Sequence, residues 1–253
     1  MNYKITNLKD KVVVVAGGAK NLGGLISRTF GEEGAKVVVH YNSSSTKDEA
    51  DKTVEYINSN GGQAFSIQLD LSNINNIKKL FEEAENKFGK VDIAVNTVGK
   101  IVKKPIDQLT ENEYDDLFNI NSKIGFFFIQ ESARHMNKGG KIINVLTSLL
   151  AGFTGYYSLY AGAKAPIEHF TRAAAKEFAP MGISVNSVAP GPMDTPFFYE
   201  QETDETVAYL KAQSFNGELT KIEDIAPIVK FLATEGWFIN GQTILANGGF
   251  TTR

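Results

Sequence analysis

A phenol and an amine four residues apart, Tyr160 and Lys164, are the pair in this chain best suited to moving a proton. On a regular helix that spacing puts both side chains on one face, so the ammonium can lie beside the hydroxyl. Free tyrosine titrates near pH ~10, and a neighbouring cation favours the phenolate and brings that value down. Such a pair would act as acid or base on an oxygen atom of a bound substrate. The spacing occurs once here, and among nine tyrosines on the order of one occurrence is expected by chance, so the surroundings must carry the argument.

A second group of residues suits binding rather than proton transfer. The run Ala16-Gly17-Gly18-Ala19-Lys20-Asn21-Leu22-Gly23-Gly24 follows a β-branched stretch and opens a helical pattern. Gly17 can turn sharply off a strand, and Gly23 lets a helix N-terminus approach a pyrophosphate, whose charge is favoured by free N–H groups and the helix dipole. That is the signature of a dinucleotide site. About 20 residues further on, where a carboxylate would accept hydrogen bonds from the ribose of NAD, the chain reads His40-Tyr41-Asn42-Ser43-Ser44-Ser45. No acid stands there to repel a 2′-phosphate. Donors in the Tyr41, Asn42, Ser43 and Ser44 segment, together with the cation of Lys20, predict NADP(H) in preference to NAD(H).

These residues need a scaffold, and the hydrophobic pattern supplies one. Short β-branched runs at 12–15, 36–39, 63–69, 91–95, 141–145, 183–188 and 243–245 alternate with apolar residues at three-to-four spacing over 22–33, 46–59, 73–88, 113–137, 158–179 and 222–233. The rhythm predicts an α/β fold, a Rossmann-like doubly wound parallel sheet of about seven strands with helices on both faces. Residues 1–253 are expected to form a single domain. An irregular stretch over 190–217 interrupts the rhythm and is expected to lie over the ligand crevice as a substrate lid. Its aromatic residues Phe197, Phe198 and Tyr199 are expected on the substrate side of the pocket.

In this order and over nearly its full length the chain resembles the short-chain dehydrogenase/reductase family, 3-oxoacyl-thioester reductase-like members among them. The family's T-G-x-x-x-G-x-G falls on Ala16 to Gly23, with Ala16 for the threonine and Asn21 for the middle glycine; asparagine tolerates a left-handed backbone better than other residues with a Cβ. Asp70-Leu71 is similar to the adenine-contacting segment. Asn96-Thr97-Val98-Gly99 resembles N-N-A-G, which implies cofactor contacts from Asn96 and Val98. Pro190-Gly191-Pro192-Met193-Asp194-Thr195 resembles P-G-x-x-x-T beside the nicotinamide, with Met193 and Thr195 reaching its carboxamide. The resemblance implies that Tyr160 is the catalytic acid or base and that Lys164 also binds the nicotinamide ribose. It further implies that Asn121 supports a proton relay and that a hydroxyl near the fifth strand holds the substrate oxygen. The family's spacing puts that hydroxyl on Thr147, with Ser148 one step away as the alternative. Pro166 in the tyrosine helix removes a hydrogen bond to the Gly162 carbonyl and is expected to bend it slightly.

The implied activity is hydride transfer between a nicotinamide cofactor and a small carbonyl or secondary alcohol. Reduction of 3-oxoacyl thioesters, oxidation of sugars or polyols, and broad carbonyl reduction all remain compatible. The alternative is a catalytically silent NADP(H)-binding sensor. A net charge of −3 from 26 basic and 29 acidic residues, spread without runs, excludes a nucleic-acid arm or a polybasic membrane anchor. The polar first eleven residues and the short apolar clusters predict a cytoplasmic protein with no membrane partner. Without cysteine there is no thiolate chemistry, and His40, His135 and His169 lack metal-ligand spacing, so they are read as surface or packing residues and no metal is expected. The resemblance also implies a homotetramer or homodimer that pairs through the 113–137 and 158–179 helices.

Overall fold

The computed structural model describes residues 3–152 and 154–252. Seven strands, β1 (Val12–Ala16), β2 (Lys36–Tyr41), β3 (Gln63–Gln68), β4 (Val91–Asn96), β5 (Met136–Val145), β6 (Ser184–Pro190) and β7 (Thr243–Ala246), form one sheet in the order β3-β2-β1-β4-β5-β6-β7. Every pairing is parallel. Parallel strands need crossovers, and these are the helices α1 (Asn21–Glu32), α2 (Lys47–Ser59), α3 (Ile74–Phe88), α4 (Glu111–Phe118), α5 (Ile124–His135) and α6 (Ser158–Glu177), followed by α7 (Pro196–Tyr199), α8 (Asp204–Ala212) and α9 (Ile222–Ala233).

The near-continuous valines of β1 follow from burial on both faces. Val13 and Val15 pack into one layer with Ile26 and Phe30 of α1, Ile57 of α2 and Val229 of α9. Val12, Val14 and Ala16 pack into the opposite layer with Leu80 and Phe81 of α3, Phe128 of α5 and Ala174 of α6. Alternation along one strand thus anchors both helical layers. The order in which strands are added to the sheet, outward from β1 to β3, switches to the other side of β1 at β4, and the crevice outside the carboxyl ends of β1 and β4 is the place where such sheets bind ligands.

Two expectations differ from what the chain adopts. The continuous helix over 113–137 is three pieces: α4, a π-turn at Asn119–Lys123 and α5, and it stops at His135 because Met136 already lies in β5. Its amphipathic period cannot reveal a π-turn, which keeps the helix axis and changes only the hydrogen-bond register. The 190–217 stretch is not wholly irregular, since α7 and α8 form within it. α6 runs through Pro166 unbroken, and a Cβ at Gly162 would meet nothing within 4 Å.

Phe81 is completely buried, with its ring 5.2 Å from that of Phe128. Phe81→Ala should destabilise the fold by about 3–5 kcal/mol, read as a lowered urea midpoint at unchanged slope.

Candidate active site

A cleft of about 470 Å³ opens at the carboxyl ends of β1 to β4. Its floor is the glycine turn. Gly17 adopts φ +73°, and a Cβ on Gly23 would stand 2.1 Å from the Gly17 carbonyl oxygen, so only glycine allows the turn and the start of α1 to come together. Asn21, the departure from the family's glycine pattern, takes φ +49° and so adopts the left-handed backbone that asparagine tolerates. Lys20, Leu22, Tyr41, Asn42, Asp70, Leu71, Val98 and Met193 also line the cleft, as expected. At the far end the hydroxyl of Thr195 is buried and has no partner among the described residues. An orphaned hydroxyl at one end and a Cβ-free helix start at the other fit an extended dinucleotide.

Some expected contacts fall elsewhere. Asn96 is buried off the cleft wall, where its side-chain oxygen accepts the Val98 N–H at 3.0 Å and shapes the turn. Ser43 bonds to Ser45, and because residues 44–46 coil into a single 3₁₀ turn, Thr46 rather than Ser43 faces the cleft. Pro190 and Gly191 line a neighbouring pocket and not the cleft itself.

Tyr160 and Lys164 are buried on one face of α6. The Lys164 ammonium donates to the carbonyls of Val98 at 3.1 Å and Val145 at 3.2 Å. Asn121, within the π-turn, donates to the carbonyls of Lys100 at 2.9 Å and Leu117 at 3.1 Å and accepts the Lys100 N–H at 3.2 Å. Gly99 lies between the two side chains: a Cβ there would come within 3.0 Å of Lys164 Nζ and 3.2 Å of Asn121 Oδ1. Thr147 and Ser148 are both buried and both line the adjoining pocket with Tyr160; of the two, Thr147 is the one that acts on the phenol, and it lowers the phenol's pKa.

The expected fall in the Tyr160 pKa is reversed in the chain by itself. Burial pushes it up to about 12, and the hydrogen bond from Thr147 offsets only part of that rise. Burial likewise pushes the Lys164 ammonium down to about 8. Two desolvated groups explain both directions, because each charged form loses water and the ammonium turns to main-chain carbonyls.

Tyr160, Leu146, Met193, Thr195 and Phe197 stand between the cleft and an apolar pocket of about 80 Å³. Phe198 lines that pocket while packing on Leu210 and Leu219, so it serves both wall and core. Tyr199, expected beside them, is exposed and donates to Asp194. Glu202, whose side chain is fully buried, accepts from Lys103 Nζ at 2.6 Å and from the Tyr157 hydroxyl. Those bonds join the segment after β6 to the loop after β4 and to the entry of α6. Among the described residues no cluster of side chains could hold a metal ion.

A family described as enoyl-(acyl carrier protein) reductase matches residues 17–251. A short-chain type dehydrogenase/reductase of Picea abies is 35% identical, over 96% of this chain and 93% of its own. The chain belongs to the short-chain dehydrogenase/reductase family. It is an oxidoreductase of that family. A hydroxynaphthalene reductase-like protein of Metarhizium guizhouense is 34% identical over 97% of each chain. The crystal structure of a Burkholderia cenocepacia dehydrogenase with bound NADP superposes with TM-score 0.95 at 50% identity, covering 98% of this chain and 97% of that one. These enzyme names lend no support to the catalytically silent alternative.

The clearest omission from the sequence reading is His40 of β2. A surface or packing role does not account for it, since both ring nitrogens are engaged beneath the glycine turn: Nδ1 accepts the Gly17 N–H at 3.0 Å and Nε2 donates to the Leu69 carbonyl at 2.8 Å. The available signal was its place at the end of the second strand, directly before the cofactor-facing Tyr41 and Asn42. Burial lowers its pKa to about 4 from the usual 6.5. The unfolded chain therefore binds a proton between those values that the folded chain refuses. The resulting stabilisation is full above about pH 6.5 and is lost as pH falls towards about 4, up to about 3 kcal/mol. Urea denaturation at about pH 7 and about pH 4.5 should show a smaller acid loss for His40→Asn than for the wild type.

Proposed function

We propose that the protein is an NADPH-dependent reductase of a compact, largely apolar ketone or aldehyde, with Tyr160 as the proton donor. The observation that carries this reading is the place of Tyr160 in the wall shared by the cleft and the apolar pocket, with Thr147 lining the same pocket. NADPH, when bound, supplies hydride to the carbonyl carbon. The chain supplies the rest. A phenol held near 12 is neutral at pH 7, which is the form a reduction needs, and it gives its proton to the oxygen that becomes the alcohol. Thr147 donates to the same oxygen and steadies the charge developing there. Lys164, mostly charged below about 8, favours the phenolate left behind, and Asn121 holds the Lys100 backbone next to Gly99 so that the ammonium keeps its place.

Preference for NADP(H) rests on Lys20, Asn42 and Thr46 in the cleft wall, where Asp70 is the one carboxylate, and agrees with the NADP seen in the Burkholderia dehydrogenase. Residues 190–217 form the substrate lid, and Glu202 is its latch. Leaving Lys103 and Tyr157 without that carboxylate would free the segment bearing Phe197 and Phe198. A homo-oligomer is supported by the exposed Phe126 on α5, packed edge-on to Phe170 of α6 at 5.1 Å. No helix among the described residues is long and apolar enough to cross a membrane, and a reducing cytoplasm suits a chain without cysteine.

NADPH oxidation should be followed against small ketones, 3-oxoacyl thioesters and quinones. Tyr160→Phe should cut turnover by about 10²–10⁴-fold while NADPH binding is retained. Equal turnover in the variant would remove the proton-donor role, and tight NADPH binding without turnover on any substrate would remove the reductase reading. Glu202→Ala should raise KM for the ketone several-fold, leave the NADPH Kd unchanged and expose residues 196–212 to limited proteolysis.

A further inference from the structure

We propose that His40 is a positioning residue for the cofactor, a strut beneath the dinucleotide cleft that holds the pyrophosphate-facing glycine turn and the adenine-facing segment after β3 in register. The inference rests on the NADPH reading above and adds to it a residue that touches no reacting atom.

The strut joins three strand ends. His40 leaves β2 with its backbone carbonyl accepting the Gly18 N–H at 2.9 Å, and its Nδ1 accepts the Gly17 N–H at 3.0 Å. Two consecutive donors of the glycine turn are thus drawn inward by one residue. The turn cannot rotate them towards a ligand, and the free donors that remain for an anion are those that open α1. On its other side the ring donates through Nε2 to the carbonyl of Leu69, the residue directly before Asp70 and Leu71 in the cleft wall.

These bonds define the ring's state. Nδ1 must carry a lone pair to accept Gly17, and Nε2 must carry the proton to reach Leu69, so one neutral tautomer satisfies both and imidazolium satisfies only one. The side chain is 2% exposed, and burial keeps it neutral to about pH 4; Asp70 is the charged group acting on it and opposes that shift only weakly. Among the described residues no other side chain bonds to the Gly17 N–H or the Leu69 carbonyl. Packing alone would be served by an apolar residue at position 40, as at Val38 in the same strand, whereas two directed bonds to opposite walls of one cleft require a group with an acceptor and a donor about a ring's width apart.

The two bonds can be separated. An asparagine oxygen reaches about where Nδ1 lies and a glutamine nitrogen about where Nε2 lies, so His40→Asn keeps the Gly17 bond and His40→Gln keeps the Leu69 bond, while His40→Leu keeps neither. Fluorescence titration of the full chain with NADPH and with adenosine 2′,5′-bisphosphate, well below each variant's melting temperature, reads the two halves of the cleft. His40→Leu is expected to weaken NADPH about tenfold or more. His40→Gln is expected to weaken NADPH while leaving the bisphosphate near its wild-type Kd, and His40→Asn to weaken the bisphosphate as well. If His40→Leu does not fold, the Asn and Gln variants carry the comparison. Wild-type Kd values for both ligands in folded variants, with only the melting temperature lowered, would overturn the proposal and leave a packing histidine. Failure of the wild type itself to bind NADPH would overturn the cofactor reading instead.

Discussion

The approach of one backbone to another at the start of α1 governs the binding half of this protein. The Gly17 carbonyl and the Cα of Gly23 are so close that no side chain fits between them, and this contact alone lets the amino end of α1 face the cleft. The rest of the sheet serves that contact. β1 must be buried on both faces to hold the turn rigidly, which is why it is almost wholly valine, and both helical layers pack onto its alternate side chains. The strand order then puts β4 beside β1 and brings Thr97 over the turn, where its hydroxyl donates to the Ala16 carbonyl at 2.8 Å.

Catalytic and binding functions are separated by element but joined at one residue. The cleft gathers the loops after β1 to β4 and the segments after β5 and β6, whereas Tyr160 belongs to α6 on one face of the sheet and stands where the walls of cleft and pocket meet. Low dielectric penalises the charged form of each group: the phenol stays protonated and the amine becomes a weaker cation. The same burial keeps His40 neutral and Glu202 dependent on its partners. Lys164, His40 and Glu202 are each bound to partners on other segments, which couples the cleft, the 190–217 segment and the entry to α6.

Much of this was legible in the chain. All seven strands overlap the runs that predict them; for β1, β2, β4 and β6, buried on both faces, composition is the reason, while β3 and β7 are only partly buried. The glycine turn could be located since only glycine fits it, and Asn21 could be given a left-handed backbone for a reason of sterics. Tyr160 and Lys164 share a face of α6 because their four-residue spacing needed only a helix to bring them together. The helix over 113–137 was less legible, since a π-turn leaves the apolar period nearly intact and Asn121 uses it to reach the Lys100 backbone.

What the sequence by itself determined is thus the order of elements, the glycine turn and the placing of Tyr160 and Lys164 on one helix face, all matters of local sterics and periodicity. Tertiary structure alone decided how burial moves the Tyr160 pKa, that Thr46 and not Ser43 lines the cleft, and that His40 and Glu202 have partners on other segments. Each of these depends on burial, or on contacts between residues separated by up to about a hundred positions, and no local pattern encodes how much water a side chain loses or which distant carbonyl it will meet.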